Sequence, residues 1–229
     1  SAAKGIIFLD NTEKSGYLAL VDIKAKEDIQ IKANSLTGIA VGDEPEVTGR
    51  NLKLTAVNGN IGTADRALKV KADTLDADAA KNIWMKSIGS TTVNHLTAPE
   101  SIQFTATDKM TAGAIAANDV HVTTKKLDIT AGQIAENTNY LRVKGYAEAG
   151  NQTELELQAE AKRGVYIQDS SKTLKLKNVS SDSNDVKIKT TGAMVNGLGD
   201  TDTAANVTAK NIVLEADTVG TDEKALTTN

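Results

Sequence analysis

The sequence predicts an all-β protein, a parallel β-helix or β-solenoid with turns of roughly 25 residues. Three observations predict it. A phrase returns along the chain, alternating strand segments recur throughout, and large rings are scarce. IGTADRAL at 61–68 reappears as VGTDEKAL at 219–226, and each copy follows a strand-like segment, NLKLTA at 51–56 and NIVLEA at 211–216. A worn third copy starts with LDITA at 127–131 and continues to Ile134, with Leu141 seven residues on, as Leu68 follows Ile61 and Leu226 follows Val219. In the first copy Val57, Asn58, Gly59 and Asn60 lengthen the link by two residues. An even insertion returns the next apolar side chain to the same face of an extended chain.

The strand segments, in order, are IQIKA (29–33), LKLTA (52–56), LKVKA (68–72), IQFTA (102–106), LDITA (127–131), LRVKG (141–145), LELQA (155–159), VYIQD (165–169), LKLKN (174–178), VKIKT (186–190) and IVLEA (212–216). Each alternates two apolar residues with polar ones, the signature of a half-buried strand. Leu54, Ile129 and Leu214 are therefore expected inside the coil. Lys53, Thr55, Lys69, Lys71, Lys187 and Lys189 are expected outside, where they solvate the surface and discourage sideways pairing. Nine or so turns at a strand spacing of about 4.8 Å give a rod on the order of 40–45 Å long.

Turn chemistry falls at Asn58–Gly59, Asn94, Asn151, Asp182, Asn184, Gly197 and Gly199, residue types that accept tight or left-handed backbone. Pro45 and Pro99 are placed in loops. Insertions are expected near 88–100 and 191–205, where Gly, Ser, Thr, Asn and Asp cluster without strict alternation. The segment 146–163 contains helix formers, but Gly150 and Asn151 interrupt it and LELQA alternates, so it is read as strand. No linker divides the chain, which is read as a single solenoid segment over 1–229, a fragment of a much longer protein.

Composition limits function. Only 3% of the residues are aromatic, with Trp84 the one tryptophan, which suits a narrow interior of stacked aliphatic side chains. A net charge of -4 gives no footprint for nucleic acid. The chain has no cysteine, which excludes disulfides, thiolate metal sites and a Cys nucleophile. No apolar run approaches the roughly 18–20 residues of a helical membrane span.

Candidate chemistry is sparse. Asp73, Asp76 and Asp78 cluster, yet Arg50, Arg66, Arg142 and Arg163 all lie elsewhere in the sequence, so these acids are read as solvated turn carboxylates. SSDSND (180–185) and GDTDTAAN (199–206) concentrate oxygen donors without the Gly and distal Glu of a calcium loop. A weak calcium site there is left open. His95 and His121 form no zinc motif, and alternation about Val120 and Val122 makes His121 an exposed surface residue. GLGDTD at 197–202 lacks the third Gly of a dinucleotide fingerprint. Trp84 either faces outward or fills a widened turn of the core. Asn151, Asn178 and Asn206 begin glycosylation sequons, each explained equally well by a solvated corner. No catalytic, cofactor or metal residue is assigned.

NLKLTAVNGNIGTADRALKVKADTLDA at 51–77 resembles the repeats of filamentous haemagglutinin-like adhesins, very large exoproteins of Gram-negative bacteria exported by two-partner secretion. The resemblance covers this repeat, the shorter copy at 211–226 and degenerate sequence between them. It implies a secreted, extracellular, cell-surface shaft, a right-handed parallel β-helix (β-solenoid), exported through an outer-membrane transporter. The expected function is that of a structural shaft segment that mediates adhesion through exposed faces or loops. Its partners would be a glycan or protein receptor on a host or bacterial surface, together with other copies of itself, end to end or edge to edge. Two alternatives are a solenoid enzyme acting on polysaccharide, and a carbohydrate- or receptor-binding module carried on an inserted loop.

Overall fold

The computed structural model describes residues 5–39, 42–148, 152–221 and 225–229. Among these there is no helix, and every strand pairing in the ladder is parallel. The chain coils into a β-solenoid of about nine turns. One twelve-stranded sheet, here sheet A, takes strands in the stacking order Ile7–Asn11, Asp28–Ala33, Asn51–Ala56, Thr74–Ala79 and Thr91–Thr97, and continues to Asp185–Thr190 and Asn211–Glu215. The opposing eleven-stranded sheet B runs from Ile23–Lys24 through Leu68–Lys71, Asn82–Ser87, Ser101–Ala106, Lys126–Ala131, Glu154–Ala161 and Thr173–Ser181 to Thr218–Val219. The first turns carry a short third face, Tyr17–Leu20 on Ser35–Gly38, extended by bridges from Leu36 to Ile61 and from Ile61 to Ile83.

Alternation makes this coil. Asn51–Ala56 buries Leu52, Leu54 and Ala56 and turns Asn51 and Lys53 to solvent. Its register with Ile29, Ile31 and Ala33 below and Leu75, Ala77 and Ala79 above lines the same side chains into columns. All eleven segments read as strands from sequence are strands, and LELQA lies within Glu154–Ala161. Leu54 and Ile129 are fully buried, while Leu214, in the last turn, is half-buried against the core. The interior holds one phenylalanine, Phe104, between Met85 and Ile129 of the adjacent turns.

Turn length varies along the stack. Ile29, Leu52 and Leu75 are successive partners 23 residues apart, Leu75 and Val93 are 18 apart, and Ile134 and Val165 are 31 apart. The insertion expected at 88–100 is not there. Thr91–Thr97 occupies that stretch as a ladder strand, and the 18-residue step into it is the tightest of these turns. Threonine and asparagine suit the outer face of a strand as well as a loop, which hid it. Asn94, read as a corner, is the extra residue of a β-bulge between Val93 and His95.

Excursions arise where one turn splits a long strand of its neighbour into halves. Lys109–Ala112 and Val122–Thr123 pair the two ends of Thr91–Thr97, and residues 113–121 loop out between them. Ala193–Asn196 and Val207–Thr208 divide Thr173–Ser181 likewise, so the insertion expected near 191–205 lies at 197–206. Ser35–Gly38 and Val47–Thr48 flank a further connection, but they pair separate strands, Tyr17–Leu20 and Ile23–Lys24, and split none.

Candidate functional site

The recurring phrase builds a recurring joint. Gly62 (φ 75°), Ala135 (φ 57°) and Gly220 (φ 73°) share left-handed backbone. Each donates its N–H across the stack, to the carbonyls of Leu36, Met110 and Met194 at 2.8, 2.7 and 2.8 Å. A four-residue tip follows, closed by bonds in both directions between Thr63 and Arg66 and between Glu136 and Asn139. The tip of the third copy, 222–224, lies outside the described residues.

Each joint clasps the excursion in the turn before it. The residue that ends the excursion is polar, fully buried and followed by Val-Thr: Glu46, His121 and Asn206. Its partner is the residue after the recurring leucine of the phrase: Lys69, Arg142 and Thr227. Glu46, His121 and Asn206 donate their N–H to those partners' carbonyls at 2.9, 2.8 and 2.9 Å. Their side chains accept in return: Lys69 N–H on Glu46 Oε2 at 2.6 Å, Arg142 N–H on His121 Nδ1 at 3.0 Å, and Thr227 N–H on Asn206 Oδ1 at 3.0 Å. A buried side-chain acceptor thus completes a ladder step at the end of each excursion, where an orphan amide would cost about 1–3 kcal/mol. The partner's own side chain reaches back over the loop. Lys69 Nζ donates to the Gly42 carbonyl, Arg142 Nη1 to those of Ala116, Ala117 and Asp119 at 2.8, 2.8 and 3.3 Å, and Thr227 Oγ1 to that of Ala204 at 3.1 Å.

His121 is therefore corrected from an exposed residue to a fully buried one. Alternation fails because residues 113–121 leave the strand and re-enter it at Val122. Since Arg142 donates to Nδ1, the ring proton sits on Nε2, which donates to the Gly113 carbonyl at 2.9 Å. Burial, then the Arg142 and His95 charges, hold its pKa below the usual imidazole value. Asn206 is corrected too. Its sequon is sealed in the core, where Nδ2 donates to the Leu176 carbonyl at 2.7 Å and to Asn196 Oδ1 at 2.9 Å. Asn178 stands in the strand Thr173–Ser181, and Asn151 lies outside the described residues.

Two surfaces concentrate chemistry. Under the 113–121 loop, a cleft of about 520 Å³ is lined by Asp76, Asn94, His95, Asp119, Lys144 and Ser170. Asp76 and Asp78 belong to the outer face of Thr74–Ala79 and not to a turn, a further correction; Asp73 alone keeps an exposed corner. Asp78 Oδ1 lies 3.3 Å from His95 Nε2, which also meets Thr97 Oγ1 at 2.6 Å, and Asp76 accepts from Asn94 Nδ2 at 3.2 Å. Asp78 first, with Asp76 and the Val120 carbonyl adding, outweighs desolvation and raises the His95 pKa. These groups are engaged with one another, whereas acid–base catalysis needs them aimed at a substrate.

The second surface is the outer face of sheet B, where register aligns Trp84, Gln103, Asp128 and Gln158 in one row along the axis. Beside it run Ser101, Lys126, Glu156 and Lys175. Trp84 thus faces outward, half-buried. Depressions of about 230 and 530 Å³ share Lys126 and Glu156 and form a trough from Trp84 to Tyr146. Burial, reinforced by the Glu160 charge, raises the Asp128 pKa. Sequence reasoning singled out Trp84 and missed the rest of the row, because its members are neighbours only through cross-turn register.

Among the described residues no group of three or more His, Cys, Asp or Glu side chains is placed to hold a metal ion. Asp182 and Asn184 are exposed, and in 199–206 the Asp202 carboxylate accepts its own loop's Ala204 N–H at 2.9 Å. No helix among the described residues is long and apolar enough to cross a membrane. Comparison with family models, curated proteins and solved structures finds no match.

Proposed function

We propose that this chain is a shaft segment of a secreted or surface-displayed bacterial adhesin of the filamentous haemagglutinin-like kind, which spaces and presents contact surfaces along a rod. The observation that carries the reading is the ladder itself. About nine turns bury continuous aliphatic columns and direct charge outward, with cross-turn pairs such as Lys175–Glu154 at 2.6 Å and Lys177–Glu156 at 3.0 Å on the surface. Each turn is held by its neighbours, so the stack transmits length more readily than it forms a deep pocket.

The trough on sheet B is the surface we assign to adhesion. An aromatic plane at one end, amides and a desolvated carboxylate in file, and flanking Lys–Glu pairs suit a polyhydroxylated chain lying along the axis, a cell-surface glycan. Stacking on Trp84 would supply apolar contact, while Gln103, Asp128 and Gln158 would exchange hydrogen bonds with hydroxyls. Glycan-array binding by the purified protein tests this. A hit weakened about tenfold or more by Trp84→Ala, on the order of 1.4 kcal/mol, supports the assignment. Binding that ignores Trp84→Ala, or no binding to any glycan, overturns it.

A further inference from the structure

Glu46, His121 and Asn206 perform one task with three side chains, and they differ in how they respond to protons. Asn206 does not titrate, and an imidazole is the side chain whose unperturbed charge change falls between about pH 5 and 8. His121 has no spare lone pair. Nδ1 accepts the Arg142 N–H and Nε2–H is given to the Gly113 carbonyl, the carbonyl at the start of the excursion. A second proton must go to Nδ1, where it meets an N–H head-on.

We propose that His121 makes the 113–121 loop a proton-operated flap, clasped to the next turn while the ring is neutral and released when Nδ1 is protonated. Release would uncover the cleft lined by Asp76, Asn94, His95, Lys144 and Ser170, part of whose wall is the loop residues Asn118, Asp119 and Val120. The charged groups on the elements packed around the ring are Arg142 and Lys144 in Leu141–Lys144, His95 in Thr91–Thr97, Asp76 and Asp78 in Thr74–Ala79, and Asp119 in the loop. Arg142 and His95 oppose a new cation on His121. Asp78 and Asp76 raise the His95 pKa while that of His121 is lowered, so His95 takes up its charge at higher pH than His121 and does not reverse the effect.

The sign is fixed by linkage. A histidine whose folded pKa lies below its ordinary 6.5 supports the clasped state fully above 6.5 and loses that support as pH falls through the folded value. The 197–206 excursion serves as a built-in reference, since Asn206 holds the same pair of bonds without titrating. Neither the glycan trough nor the adhesin reading is needed for this inference.

Amide hydrogen exchange followed by NMR on the intact chain tests it, with each rate normalised to the intrinsic rate at that pH. Between about pH 7.5 and pH 5, protection of the Arg142 amide should fall on the order of tenfold, while the Leu54 and Ile188 amides hold theirs. In His121→Asn the Arg142 amide should keep equal protection at both pH values, as the Asn206 arrangement shows an amide side chain can provide. Wild-type Arg142 protection that changes no more than that of Leu54 overturns the proposal, whether or not the variant folds. An undiminished pH response in His121→Asn overturns it as well.

Discussion

The two phenylalanines make the sharpest test of the stacked interior. Phe104 is fully buried in sheet B, between Met85 of the turn below and Ile129 of the turn above, whereas Phe8 is 70% exposed in the first turn. Phe104→Ala removes the largest side chain of the interior column and leaves a void that neighbouring turns can close only by giving up ladder bonds. Phe-to-Ala truncations at sealed sites cost about 3–5 kcal/mol, transfer and cavity terms together. Phe8→Ala should stay within about 0.5 kcal/mol, because little surface changes its contact with water. Urea unfolding of both variants gives the numbers as midpoint shifts. Hydrogen exchange should place the Phe104→Ala loss in the flanking strands Asn82–Ser87 and Lys126–Ala131, since stability in a coil sums over neighbours. A Phe104→Ala loss below about 1 kcal/mol, or a Phe8→Ala loss of similar size, would refute the columnar core.

Two further expectations concern single positions. Gly62→Ala should destabilise by at least about 2 kcal/mol in the same assay, because left-handed backbone penalises a Cβ and that Cβ would sit 2.1 Å from the Trp84 carbonyl oxygen of the next turn; a neutral result would mean the joint is not formed. Asp169 is buried, accepts from Ser171 Oγ at 2.6 Å and Thr190 Oγ1 at 2.7 Å, and has its pKa raised because burial outweighs those bonds. A raised carboxyl contributes stability present below its ordinary 3.8 and lost as pH rises through the folded value. The stability difference between wild type and Asp169→Asn should therefore vary with pH, wild type gaining relative to the variant as pH falls toward about 4. Urea midpoints across pH would contradict this if that difference were constant.

Much of the architecture was legible because a strand's period of two is local. LKLTA, LDITA and VKIKT declare their inward residues without reference to any other turn, and Leu54, Ile129 and Ile188 are buried as expected. The returning phrase was legible as a repeat, but the left-handed backbone that Gly62 and Gly220 share with Ala135 was not, because Ala gives no sign of it in sequence. Composition could not separate a polar loop from the polar face of a strand, so 88–100 was misplaced and Thr91–Thr97 emerged as ladder. The clasps left one faint trace, the recurrence of a polar residue before Val-Thr at 46–48, 121–123 and 206–208.

What the sequence determined by itself was therefore the coil: which side chains point inward, and that parallel turns stack on aliphatic columns. Only the tertiary structure decided which residues meet across turns. Partners such as Leu75 and Val93 lie 18 residues apart while Ile134 and Val165 lie 31 apart. With no constant period, neither the row from Trp84 to Gln158 nor the burial of His121 against Arg142 can be counted off along the chain. Both arise because excursions change the path length of a turn while the ladder bonds fix its height and register, so proximity is set by the stack and not by separation in sequence.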